Sequence, residues 1–147
     1  MDATFRTRLA FPPAAVAPVV ADLGSYPGWL GIVHAAVPDA GADGERAWLV
    51  DLGASIGPLR RTKRVRMVRT SATQGGARFE RDERDGRDHP SWVLEAELVP
   101  DGADGTDLVM RLHYGGAPQL PLLDVVLGQQ AARAGARLEQ VLRDAAD

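Results

Sequence analysis

SWVLEAELVPDGADGTDLVMRLHY, residues 91–114, decides the fold of this chain. Trp92, Leu94, Ala96 and Leu98 alternate with Val93, Glu95, Glu97 and Val99. Past a turn at Asp104-Gly105, Leu108, Met110, Leu112 and Tyr114 alternate with Asp107, Arg111 and His113. A period of two with one apolar face marks a half-buried strand. Asp-Gly supplies the positive φ that a tight hairpin needs. The stretch therefore predicts two antiparallel strands, 91–99 and 106–114.

Upstream the same grammar repeats. Asp43-Gly44, Gly57-Pro58, Gly75-Gly76 and Asp85-Gly86 punctuate strands over 32–39, 46–56, 59–70 and 77–84. Their inward residues are Val33, Ala35 and Val37, then Trp48, Val50 and Leu52, then Val65 and Met67, then Phe79. Lys63 and Arg61 share parity with Val65 and Met67, and Arg81 shares it with Phe79. At the front, Phe5, Thr7, Leu9 and Phe11 alternate with Thr4, Arg6, Arg8 and Ala10. Pro12-Pro13 then opens a helix to Leu23, because proline fits the first helical turn. Val16, Val19, Val20 and Leu23 form its inner stripe, and Gly24 suits its C-cap. Ser25 to Leu30 reads as a second, very short helix or turn.

Downstream, Gly115-Gly116-Ala-Pro118-Gln-Leu-Pro121 breaks the sheet, and a helix follows from about Leu122 to Arg143. Leu123, Val126, Leu127, Ala131, Ala134, Leu138, Val141 and Leu142 make its apolar stripe. Gly128, Ala131, Ala134 and Gly135 keep the middle of that helix small, although glycine inside a helix costs about 1 kcal/mol relative to alanine. Two explanations stand side by side: close packing of helix on sheet, or room for a ligand. Gln130 interrupts the apolar side, as a surface residue or as a polar group in a cavity. One antiparallel sheet must bury one face, and this helix is the only large cover. The order of elements predicts an α+β domain over 1–147 with a cavity between sheet and helix. Binding follows from that more readily than catalysis.

Composition narrows the function. The chain has 147 residues, enough for one domain with a real core, and 45% of them are apolar. A net charge of −3 and a pI near 5.6 give no reason to expect nucleic acid or an anionic membrane as a partner. Cysteine is absent, which excludes disulfides, thiolate nucleophiles and cysteine-ligated metals. No signal peptide and no apolar run long enough to span a bilayer is visible, so a soluble cytoplasmic protein is expected. Lys63 is the sole lysine.

Few residues suggest chemistry on their own. Gly53-Ala54-Ser55-Ile56-Gly57 matches the nucleophile-elbow pattern, but that motif needs a strand–turn–helix context, and here Pro58 and a basic strand follow. His34, His89 and His113 lack metal-ligand spacing. Asp82, Glu83, Asp85 and Asp88 surround a turn without the calcium-loop spacing. No metal and no cofactor is expected. The strand carrying Arg60, Arg61, Lys63, Arg64, Arg66 and Arg69 is a solvated face paired with Glu80 to Glu83, except at its inward positions. A cation inside an apolar cavity needs a partner, and a ligand carboxylate, phenolate or enolate would be one.

One further pattern spans nearly the whole chain. Phe5–Phe11, the helix Pro13–Leu23, the segment Asp22-Leu-Gly-Ser-Tyr-Pro-Gly-Trp29, the Gly57-Pro58-Leu59-Arg60 turn and the closing helix after Pro121 together resemble the SRPBCC (START-like) superfamily, of the polyketide cyclase/dehydrase and lipid-transport type. The resemblance implies a helix-grip fold, a curved seven-stranded antiparallel sheet wrapped around the C-terminal helix, with two short helices after the first strand. It implies an apolar cavity for a lipid, a polyketide or a similar small molecule. It does not imply catalysis, and no catalytic residue carries over. The expected ligand-binding residues are Tyr26, Trp29, Trp48, Lys63, Met67, Phe79, Arg81, Trp92, Leu94, Met110, Tyr114, Leu127, Gln130, Ala131 and Ala134. The leading function is binding of a small hydrophobic or amphipathic ligand by a monomer or homodimer without integral membrane association. A polyketide aromatase/cyclase or dehydratase using a cavity arginine or lysine with Tyr114 or Tyr26 is the alternative, and a protein-interaction or assembly-factor module is a third.

Overall fold

The computed structural model describes residues 2–39, 44–56, 59–116 and 123–146, and their side chains except at 54–56, 59–61, 123–127 and 131. Strand β1 (Asp2–Leu9) leads into helix α1 (Pro13–Val20) and a 3-10 turn (Leu23–Gly28). Strands β2 (Val33–Pro38), β3 (Ala47–Ile56), β4 (Leu59–Thr73), β5 (Gly76–Arg81), β6 (Trp92–Asp101) and β7 (Gly105–Tyr114) follow, and helix α2 (Leu123–Ala146) closes the chain. The strands form one seven-stranded sheet in the order β1-β7-β6-β5-β4-β3-β2, and each pairing is antiparallel. The sheet curls into a half-barrel with α2 held in its concave side. This is the α+β helix-grip fold that the resemblance implied.

Register fixes which side chains meet. Leu98↔Leu108, Ala96↔Met110, Leu94↔Leu112 and Trp92↔Tyr114 are successive inward rungs of β6 and β7. Ala3, Phe5 and Thr7 continue those rungs onto β1, and Ala77 and Phe79 continue them onto β5. Helix α2 contributes Ala134, Leu138 and Leu142 to the same core. The loss of apolar surface from water along these rungs is the main favourable term in the fold.

Four local readings are corrected. The β6–β7 turn takes its positive φ at Gly102 (71°) and not at Gly105, which is the first residue of β7. A bulge between Val33 and Ala35 shifts the register of β2, so Ala36 packs on the core and Val37 is 58% exposed. An extra residue reverses the facing of everything beyond it. The first helix ends at Val20, and Leu23 belongs to the 3-10 turn. The basic strand draws its acidic partners from both sides: Arg64 pairs with Asp51 of β3, and Arg66 with Asp39 and Glu45. The turn at Gly57-Pro58 and the break at Pro118–Pro121 lie outside the described residues.

Candidate functional site

The segment Asp22–Trp29 builds one wall of the concave space. A helix leaves its last carbonyls without intrahelical partners. Here they are met one by one. Ser25 Oγ donates to Val19 O (2.7 Å), Tyr26 Oη donates to Val20 O (2.8 Å), and Arg69 Nη1 from β4 donates to Ala21 O (2.9 Å). Ser25 Oγ in turn accepts from Trp29 Nε1 (3.3 Å), and Asp22 Oδ1 accepts from Gly24 N (2.9 Å) to cap the 3-10 turn. These bonds lock Tyr26 and Trp29 into the interior.

Four of the expected site residues form a single aromatic cluster there. Tyr26 lies 4.4 Å from Trp29 and 5.9 Å, edge on, from Phe79, and Phe79 lies 5.6 Å from Trp48. Met67 is paired with Trp48 and is buried with it. This end of the groove is packed core. Burial, with the Asp22 charge adding to it, pushes the Tyr26 phenol far above its ordinary value. A fully buried phenol that donates to a helix carbonyl is not poised to exchange a proton with a ligand.

The middle of the groove holds a cleft lined by Ala3, Phe5, Leu30, Ile32, Leu94, Met110, Arg111 and Leu112. Of these, Leu94 and Met110 were expected from the sequence. Phe5 and Leu112 lie on apolar faces the sequence marked but not at an expected site; Leu30 and Ile32 lie outside the expected site because a wall made by a loop leaves no periodic trace, and Ala3 because it sits at the start of β1, ahead of the Phe5–Phe11 alternation. The cleft has a volume of about 10 Å³, room for about one water. Gln130 of α2 lies directly over Gly31, between Leu30 and Ile32, where a Cβ on Gly31 would collide with its carboxamide. Gln130 thus packs on the Leu30–Ile32 segment that forms one side of the cleft. Ala134 is buried, while the side chains of Leu127 and Ala131 lie outside the described residues.

The third group sits at the open end. Strand β5 begins to pair with β4 only at Met67↔Arg81, so the first half of β4 has β3 as its neighbour. Across the resulting gap Lys63 reaches toward β7, with its Nζ 5.8 Å from the centre of the Tyr114 ring. Tyr114 stacks on Trp92 at 4.6 Å with the planes tilted by 37°. Trp92 Nε1 is buried and has no hydrogen-bond partner among the described residues. Arg81 also has inward parity, and its side chain is only 6% exposed. Its charge is met by Glu83 Oε1 (3.1 Å), and its guanidinium further contacts Pro90 O and His89 Nδ1. Asp51, on the neighbouring strand β3, accepts from Arg64 Nε at 2.8 Å.

The remaining candidates lie apart. His34 covers Gly53, His89 bonds Asp85, and His113 Nδ1 contacts Asp2 Oδ1 at 2.7 Å. Ser55 ends a strand that is followed by β4, not by a helix, so the strand–turn–helix context of a nucleophile elbow is missing. No helix among the described residues is long and apolar enough to cross a membrane.

No family model and no curated protein sequence matches the chain. Solved structures do. A START superfamily protein from Mycobacterium smegmatis matches with a TM-score of 0.67 at 16% identity, covering 97% of each chain. The Zhui aromatase/cyclase from a Streptomyces species matches with a TM-score of 0.67 at 14% identity, over 100% of this chain and 96% of that one. A STAR-related lipid transfer protein from Xanthomonas axonopodis matches with a TM-score of 0.62 at 21% identity, over 95% and 84%. Identities this low speak for the fold alone. The structural neighbours of this chain are START/SRPBCC superfamily proteins, and its fold is theirs.

Proposed function

We propose that the protein binds a small hydrophobic or amphipathic molecule, of lipid or polyketide type, in the concave space between the sheet and α2. The observation that carries this is the apolar cleft between β1, β6, β7 and the Leu30–Ile32 segment, one rung away from a rim of Trp92, Tyr114 and Lys63. Apolar surface with a few polar groups at one end is the usual make-up of a small-molecule site. Leu94 and Met110 would touch the apolar body, and Gln130, Trp92, Tyr114 and Lys63 its polar end. The aromatic cluster would close the far end. The cleft is small, so a guest of ordinary size would enter by displacing side chains such as Phe5 or by moving α2 outward.

Native mass spectrometry of the purified protein tests this, with a saturating titration of an apolar fluorescent probe. A one-to-one adduct, or saturable probe binding lost in Ala3→Leu while the fold is retained, is the expected result. Absence of both would refute the reading. A polyketide cyclase or dehydratase is the second reading, favoured by the approach of Lys63 to Tyr114 at the rim. There Lys63 would polarise a carbonyl and Tyr114 would exchange the proton. Turnover of a poly-β-ketone that is lost in both Lys63→Met and Tyr114→Phe would select it over simple binding.

A further inference from the structure

We propose that the rim where Trp92, Tyr114 and Lys63 meet takes the carboxylate of an otherwise apolar acid. This rests on the cleft being a ligand site, and it names the chemistry of the ligand's polar end.

The first observation is the indole of Trp92. Its Nε1 is buried and has no acceptor among the described residues. Buried donors are nearly always paired in folded proteins. The stack against Tyr114 at 4.6 Å needs only the ring, so phenylalanine would supply it without leaving an orphan N–H. A ligand oxygen at this position would receive that hydrogen bond.

The second observation is the charge. Lys63 lies on the inward face of β4, opposite Leu52, with its ammonium over the Tyr114 ring. Its strand neighbours Arg64 and Arg66 both hold carboxylates. No carboxylate among the described residues lies within ion-pair distance of Lys63. Arg81, also of inward parity, is already neutralised by Glu83. Among the described side chains the rim therefore offers one positive charge, on Lys63, and one neutral N–H donor, on Trp92. That matches a singly charged carboxylate, with one oxygen for each partner, better than a phosphate dianion.

The third observation is direction. On the same face, one rung inward from Trp92↔Tyr114, Leu94↔Leu112 lines the apolar cleft. A carboxylate held at the rim would aim its apolar tail into that cleft. Tyr114 serves as the platform that orders both the indole and the ammonium.

The test uses the straight-chain acids hexanoate, octanoate, decanoate and dodecanoate, and their methyl esters, at neutral pH. The chain has three tryptophans, so its indole N–H signals are few, and Trp92→Phe identifies the one in question. We expect the acids to bind more tightly than their esters and to move the Trp92 indole proton downfield, leaving those of Trp29 and Trp48 in place. Lys63→Met should weaken acid binding about tenfold or more and leave the ester unchanged, as loss of a charge-assisted bond does. Trp92→Phe should weaken the acid while retaining the native melting transition. Equal affinity of acid and ester in wild type and Lys63→Met, with an unmoved indole signal, would overturn the assignment but leave the cleft as a ligand site. If none of the acids bind while an apolar probe does, the carboxylate is likewise overturned. If neither acids nor probe bind, the ligand site itself falls, and the rim assignment with it.

Discussion

Gly135 of α2 lies against Thr7 of β1 so closely that a Cβ at position 135 would overlap the Thr7 hydroxyl. The two glycines of α2 therefore have different causes. Gly135 lets the helix approach the sheet, whereas a Cβ at Gly128 would meet nothing within 4 Å. Small residues along a helix are compatible with a ligand cavity or with close packing, and at Gly135 the structure decides for packing.

Opposite signs follow for the two glycines. Gly128→Ala should stabilise the protein by about 1 kcal/mol, the helix-propensity gain alone. Gly135→Ala should destabilise it by about 1–2 kcal/mol despite the same gain, because a β-branched neighbour must yield. Combining it with Thr7→Ala should recover most of that loss, and urea denaturation of the four proteins completes the cycle.

Tyr26→Phe removes the hydroxyl that satisfies Val20 O. We expect a loss of about 1–2 kcal/mol in stability, since a buried acceptor is left unmet. Binding of an apolar probe should not change. Ultraviolet titration should show one tyrosine that ionises only when the protein unfolds in alkali, in accord with the direction in which burial moves this phenol.

The Arg66 side chain is 5% exposed and joins Asp39 (2.8 Å) and Glu45 (3.5 Å), on either side of the β2–β3 connection, with Asp82 O (3.0 Å) just after β5. Arg66→Ala should cost about 2–3 kcal/mol, less than a fully buried pair because Asp39 stays partly in water. Arg66→Lys should recover little, since one ammonium cannot reach three acceptors that a guanidinium fork spans. Thermal unfolding of both variants measures this.

Acid should destabilise the fold through three carboxylates. The His113 hydrogen bond lowers Asp2, the Arg64 hydrogen bond lowers Asp51, and the Arg87 backbone N–H, followed by His89, lowers Asp85. An acid depressed in the folded state contributes stability that is complete above its unfolded value and is lost as pH falls through the folded one. The urea midpoint should therefore hold at neutral pH and drop below about pH 4. Asp51→Asn with Asp85→Asn should flatten that limb, and added salt should shrink it, as these pairs are exposed.

Much of the fold was legible along the chain. The strands at 91–99 and 106–114 extend to Trp92–Asp101 and Gly105–Tyr114, because alternation over ten residues is a strong signal. The closing helix at 122–143 is Leu123–Ala146. Errors fell where one residue changes the outcome. Val37 was assigned inward and is exposed, since a bulge carries no periodic mark of its own. The helix expected to run to Leu23 stops at Val20, where the Asp22 and Ser25 side chains offer the backbone other partners.

The candidate site divides in the same way. Alternation placed Leu94, Met110, Trp92 and Tyr114 on one face, because the pleat of a strand is a local property. The sequence by itself therefore determined the elements, their order and the inward face of most strands. It could not distinguish Tyr26, Trp29, Trp48 and Phe79, which fill one end of the groove, from Trp92 and Tyr114, which rim the other. Nor could it pair Arg81 with Glu83 while Lys63 stands over Tyr114, fifty-one residues away in the chain. Those relationships depend on register and on the curl of the sheet. They are long-range packing outcomes, in which each strand's position is set by its neighbours and not by its own residues.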